Sequence, residues 1–368
     1  MKSLFIHRPT IQQLIDCLVN DGFSVYGPRV VEHAIHYTPL TSSNDLPSGV
    51  RVEQSPGTYE LTHEDDPYLF KWSNGPQALK PLLFKPEEVL WSSGIAQDGS
   101  LFFEQTDTAS PPRVAVLGVR ACDLAALEIH DRHFMNKYAP DENYSRAREG
   151  LFLIAVNCSH PAATCFCGST GDGPNAETGY DILLDEIAEG FIVHTATERG
   201  AAIIRALPTR EATEQEMVQC SQQRSDAAGH NARSIPAGNL FQALIDRAQS
   251  PAWAEIAQHC LSCGNCTAVC PTCFCSNQSE KPVIQNNRSQ HIREWDSCFN
   301  EGHSYIHGVV IHANTELRYR QWLTHKFGSW HAQYGRSGCV GCGRCIAWCP
   351  VGIDVTKSLE NVLSSDIR

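Results

Sequence analysis

Two cysteine phrases of identical spacing constrain this chain more than any other feature. Residues 260–271 read Cys-Leu-Ser-Cys-Gly-Asn-Cys-Thr-Ala-Val-Cys-Pro, with Cys260, Cys263, Cys266 and Cys270 ahead of Pro271. The same spacing returns as Cys339, Cys342, Cys345 and Cys349 ahead of Pro350. Each is a C-x2-C-x2-C-x3-C-P run, the spacing of a [4Fe–4S] cluster. Three thiolates two residues apart wrap one face of an iron–sulfur cube, and the fourth, one residue further on, points away. In two-cluster ferredoxins that fourth thiolate serves the other cube. The proline closes the loop by fixing φ and removing an N–H. The expected assignment is therefore crossed: Cys260, Cys263 and Cys266 with Cys349, and Cys339, Cys342 and Cys345 with Cys270. Structural zinc also takes sets of four cysteines, but its ribbons use paired C-x2-C knuckles rather than triplets with a trailing C-P.

A chain of 368 residues has room for two or three domains. Its 17 cysteines, read with these motifs, are expected to be ligands in a reducing compartment rather than disulfides. Residues 1–9 carry Lys2, His7 and Arg8 but no apolar h-region, so no signal peptide is expected. No apolar run reaches the roughly 18 residues of a membrane span. A cytoplasmic protein is expected. The net charge of −12 argues against a nucleic-acid partner, because phosphate binding needs a basic surface.

Along the chain, Ile11, Leu14, Ile15, Leu18 and Val19 fall at helical spacing behind Thr10, which predicts a capping box with Gln13 and an end at Gly22. Cys17, off that face, reads as an ordinary partly buried cysteine. Residues 23–91 alternate short β-like runs (23–26, 30–37, 57–61 and 68–72) with Pro and Gly. Residues 113–119 predict a strand, 123–134 a helix and 151–156 a second strand, an order that implies parallel pairing. Strand-like runs follow at 180–184 and 190–196, then helical stretches at 201–206, 211–223 and 240–258. The expected class is α+β or α/β: an N-terminal mixed α/β domain over 1–198, a helical linker over 199–258, and a ferredoxin-like domain over 259–368. The last carries a long insertion at 272–338.

The remaining cysteines form two groups. Cys122 sits where the 113–119 strand turns into its helix, Cys158 just past the next strand, and Cys165 and Cys167 in the following loop. In a parallel α/β arrangement the C-terminal strand ends face one crevice, so these four thiols are candidates for a third cluster. Buried small hydrophobes are the plainer reading. Cys273, Cys275 and Cys298 form the other group, and Thr-Cys-Phe-Cys occurs both at 164–167 and at 272–275. Either group, or a mixture, is able to supply the extra site, with Asp296 or Asp123 completing the set; packing beside the first cluster is the alternative. The basic aromatic run 318–327 reads as a docking surface or as a helix covering the clusters. Leu261, Val269, Ile346 and Trp348, between the ligands, are expected to exclude water. The histidines show no metal spacing, and no GxGxxG, Walker A, HExxH, GxSxG or CxxCH motif occurs. Residues 168–173 are glycine-rich but in the wrong order for a nucleotide loop. No acid–base or nucleophile constellation emerges.

Several phrases together resemble a known family. Tyr26-Gly-Pro-Arg29, Asp45-Leu-Pro-Ser-Gly49, Pro56-Gly-Thr-Tyr59, Gly118-Val-Arg-Ala-Cys-Asp-Leu124, Cys165-Phe-Cys167, Cys270-Pro-Thr-Cys-Phe-Cys275, Trp295-Asp-Ser-Cys298 and Cys339-Val-Gly-Cys-Gly-Arg-Cys345 are similar to the iron–sulfur beta subunit of cytosolic sulfhydrogenases. These are [NiFe] hydrogenases that also reduce sulfur; the first subunit of anaerobic sulfite reductase is closely similar. Ala121 stands where many relatives carry proline.

The resemblance implies an electron-transfer subunit without a catalytic centre of its own. It implies two [4Fe–4S] clusters on the eight motif cysteines and a further iron–sulfur site, which favours Cys122, Cys158, Cys165 and Cys167. It also implies partners: an FAD/NAD(P)H-binding reductase subunit, and catalytic and small hydrogenase subunits or a siroheme subunit. Two competing readings are a self-contained enzyme with a flavin or substrate site in the α/β domain, and a zinc-stabilised interaction scaffold.

Overall fold

The computed structural model describes residues 3–77, 79–105, 111–136, 138–230, 232–284 and 287–366. Among them, in chain order, are strands β1 (Leu4–His7), β2 (Ser24–Val31), β3 (Ala34–Pro39), β4 (Val50–Ser55), β5 (Thr58–His63), β6 (Glu87–Ile95), β7 (Leu101–Gln105), β8 (Val114–Val119), β9 (Leu151–Val156), β10 (Ile182–Ile187), β11 (Gly190–Thr195), β12 (Arg210–Glu211), β13 (Ser276–Val283) and β14 (Arg288–Trp295).

The main sheet has the order β12-β1-β11-β10-β9-β8-β2-β3. Its central strands β10, β9, β8 and β2 are parallel, and the flanking pairs are antiparallel. The apolar run of β9 explains its central place. Phe152, Ile154 and Val156 enter one core with the helix Thr10–Asn20, while Leu151, Leu153 and Ala155 enter another with the helix Ala121–Phe134. A strand covered on both faces has no need to alternate with polar residues. The expected mixed α/β architecture and the parallel strand–helix–strand unit are both present.

Local expectations fail where tertiary contacts take over. Thr10 forms no capping box: Pro9 caps the helix without a side-chain bond and Thr10 is itself buried. Val19 is exposed rather than on the apolar face. Residues 68–72 form no strand, because their amides are taken by a side chain; Leu69 and Phe70 each donate to the Glu186 carboxylate at 2.7 Å. The helical run expected over 240–258 is two helices, Phe241–Ile245 and Ala252–His259, interrupted ahead of Pro251.

Residues 272–338 do not fold apart from the rest. β14 pairs with β6 and β13 with β14, so the insertion completes a four-stranded antiparallel sheet begun by residues 87–105. Arg293 on β14 secures the joint through Glu88, at 2.6 Å, and Asp141. A third core gathers Trp253, Tyr319, Trp322, Leu323, Phe327, Ile346, Val355 and Leu359 around the two motifs.

Candidate metal centre

The two cysteine phrases adopt the same backbone. Ser262 and Gly264 in the first, Gly341 and Gly343 in the second, all have positive φ. Each pair is followed by one helical turn, Asn265–Ala268 or Arg344–Ala347. Two left-handed residues curl the chain tightly enough to aim three thiols into one space, which is the physical content of the x2 spacings. The loops also share a hydrogen bond to sulfur: Ser262 N donates to Cys260 Sγ at 3.5 Å and Gly341 N to Cys339 Sγ at 3.4 Å.

Beside these loops lie two neighbouring cavities. One is lined by Cys260, Cys263, Cys266 and Cys349, with Cys345 in its wall. The other is lined by Cys270, Cys339, Cys342 and Cys345. Trp322, Cys345 and Val355 belong to both linings. Cys349 thus stands with the first triplet and Cys270 with the second, within electrostatic reach of their thiols. Zinc would need its thiolates about 2.3 Å from one point, whereas a cubane spreads them around an inorganic body. The residues therefore fit a pair of cubanes.

Burial pushes most of these thiols up, Cys339 to about 12 despite the opposing charge of Lys326. A thiol in that state is a poor nucleophile, and bound metal is what draws off its proton. Cys270 is the exception. It is lowered, first by its hydrogen bond with Cys273 and then, against the cost of burial, by Lys326.

Cys122, Cys158, Cys165 and Cys167 are brought together at the C-terminal ends of β8 and β9, where Cys165 and Cys167 both feel Cys158 and Cys342. Cys122 feels Cys342 and Cys167 and accepts a hydrogen bond from Asn74 Nδ2 at 3.3 Å. This group abuts the second motif directly. Phe166 N donates to Gly341 O at 2.8 Å, and a Cβ on Gly341 would meet Cys167 N at 2.5 Å. Arg120 braces the crevice with bonds to the carbonyls of Phe70, Trp72, Val156 and Asn157.

Cys273 hydrogen-bonds Cys270, Cys275 bonds His303, and Cys298 lies within reach of both Cys275 and Cys266. These three flank the two motif cavities. Neither aspartate is a spare ligand. Asp123 is held by Arg344 at 2.8 and 3.2 Å, and Asp296 is bonded to His303, Asn300 and Ser297 N.

The run 318–327 covers the cavities from the helix Thr315–Thr324, with Tyr319, Trp322 and Leu323 buried. Ile346 and Val269 are buried as expected. Leu261 is not: it is 63% exposed on the rim of the first cavity, beside the exposed Cys263. Lys80, whose Nζ donates to Thr267 O at 3.5 Å and Ala268 O at 3.4 Å in the first motif, was not legible as a site residue, nor were Asn74 and Lys326; for Lys326 the only signal was its place in the basic aromatic run.

Fold and cysteine geometry define a two-cluster iron–sulfur protein built onto a mixed α/β domain. Residues 259–353 match the family of 4Fe-4S dicluster domains. Over 264 residues, 70% of this chain and 77% of the relative, the sequence is 30% identical to sulfhydrogenase 2 subunit beta of Pyrococcus furiosus. No solved structure matches the chain. The chain belongs to the family of sulfhydrogenase beta subunits.

Proposed function

We propose that this chain is the electron-relay subunit of a hydrogenase or sulfur-reductase complex. It lies between an FAD/NAD(P)H-binding reductase subunit and the catalytic and small hydrogenase subunits. The observation that carries this reading is the pair of cavities separated by Trp322, Cys345 and Val355, each lined by one crossed set of four cysteines. When bound, each cluster accepts and releases one electron at a time. The chain's own residues set the spacing of those sites, exclude water through Ile346, Val269 and Trp322, and leave Cys263 and Leu261 at the surface for a partner. A siroheme subunit would be served by the same relay. No helix among the described residues is long and apolar enough to cross a membrane, and a cytoplasmic complex fits the family.

The relay extends to a third cluster on Cys122, Cys158, Cys165 and Cys167. The packing of the 164–167 loop against residues 341–343 supports a third step beside the second cavity. Iron and acid-labile sulfide on anaerobically purified protein test the assignment. Three clusters' worth per chain is expected, falling by one in a Cys165→Ser, Cys167→Ser variant with the motif clusters' EPR retained. Two clusters' worth in the unmutated chain overturns the third site, and none at all overturns the relay.

A further inference from the structure

Lys326 is buried, 4% exposed, and its hydrogen bonds go to a sulfur, a hydroxyl and a carbonyl, none to a carboxylate. Nζ donates to Cys270 Sγ at 3.4 Å, to Thr272 Oγ1 at 2.7 Å and to Gly338 O at 3.1 Å. Thr272 Oγ1 itself lies 3.2 Å from Cys270 Sγ. The lysine stands on a π-helical turn, His325–Ser329, that joins the helix Thr315–Thr324 to the helix Trp330–Tyr334. Such a turn adds a residue to the helical repeat and occurs frequently at functional sites. Here it buries both Lys326 and Phe327 against the second cavity.

An ammonium removed from water with no carboxylate beside it is costly. Its nearest source of negative charge is the sulfur of Cys270, and the face of the Trp330 ring, 5.1 Å away at its centroid, adds to it. Among the described residues the hydrogen-bonded sulfurs of the first cavity have no such arrangement: Cys260 Sγ and Cys349 Sγ accept from neutral amides, Ser262 N at 3.5 Å and Ile353 N at 3.3 Å, and Cys263 is open to solvent.

We propose that Lys326 tunes the second cluster, holding its reduction potential above the value that its buried, apolar surroundings would otherwise impose. Reduction adds one negative charge to a site walled by Trp322, Phe327, Val340 and Val355. A low-dielectric wall disfavours that charge, and a cation hydrogen-bonded to a ligand sulfur favours it. Lys326 thereby keeps the second cluster, which lies between the first cavity and the Cys122 group, from becoming an uphill step in the relay. Lys326 is a positioning residue and does not itself carry an electron.

The inference rests on assigning the second cluster to Cys270, Cys339, Cys342 and Cys345, and its test separates the two. The full chain is purified anaerobically as wild type, Lys326→Gln and Lys326→Arg, and titrated with dithionite under EPR beside iron and sulfide counts. With full cluster content, one signal in Lys326→Gln is expected to titrate at a more negative potential, and Lys326→Arg to return close to wild type. Full content with no shift in Lys326→Gln overturns the role of Lys326. A wild-type chain lacking two clusters overturns the assignment beneath it. Should Lys326→Gln lose iron, the wild type labelled with 15N-lysine decides by pulsed EPR. A lysine-nitrogen coupling to a reduced cluster that vanishes in Lys326→Arg supports the proposal, and its absence from the wild type overturns it.

Discussion

At the scale of single residues, His130 is a buried polar group whose titration the fold sets. His130 is 2% exposed, edge-on to Phe134, Tyr144 and Phe274, and its Nε2 has no hydrogen-bond partner among the described residues. Burial first, and then the charge of Lys80, push its pKa down to about 3. The folded chain therefore keeps His130 neutral where the unfolded chain, with an ordinary value near 6.5, takes up a proton. Its contribution is complete above about pH 6.5, declines as pH falls below that, and levels off below about 3. Between pH 7 and pH 5 the loss amounts to about 2 kcal/mol. Denaturant midpoints of anaerobic protein at the two pH values should show it, and His130→Leu should remove that share of the pH dependence. An unchanged pH dependence in the variant would contradict the neutral, buried state.

Elements matter here as lids and clasps. The helix Thr315–Thr324 closes both cavities, with Tyr319 Oη hydrogen-bonded to Ser358 Oγ at 2.9 Å and Trp322 in both linings. Trp322→Ala removes the wall between them. It is expected to cost about 3–5 kcal/mol, the range for truncating a buried tryptophan. In air its iron–sulfur absorbance should bleach faster than that of wild type. Equal bleaching rates would mean that the helix does not shield the clusters. On the other side, β13 and β14 tie the insertion to β6 and β7, so the long segment between the motifs also braces the N-terminal part.

For the whole molecule, the proposed relay rests on the order of sites: the first cavity at the surface beside Cys263, the second beneath Trp322, and the Cys122 group at the sheet's C-terminal edge. In a relay of this order, breaking the middle separates the ends. Cys342→Ser in the assembled complex should lose one cluster's EPR signal and stop NAD(P)H-driven turnover, while half-reactions at the partner subunits persist. Normal turnover in that variant would exclude a relay through the second site. Cys263→Ser tests the surface site in the same way.

The sequence by itself determined the cluster loops, because a cubane needs thiolates at short fixed intervals and such intervals are local. It also determined the parallel core, since strands buried on both faces read as unbroken apolar runs such as 151–156. Tertiary structure alone decided which distant groups meet. Whereas the crossed pairing of Cys349 and Cys270 follows from the fourth cysteine of each motif, the packing of residues 164–167 onto Gly341 and Gly343 and the joining of 276–295 to 87–105 span long stretches of chain with no local signal. The same holds for Lys326: a lysine in a basic run reads as solvated, and only the π-helical turn carries its ammonium inward to a sulfur.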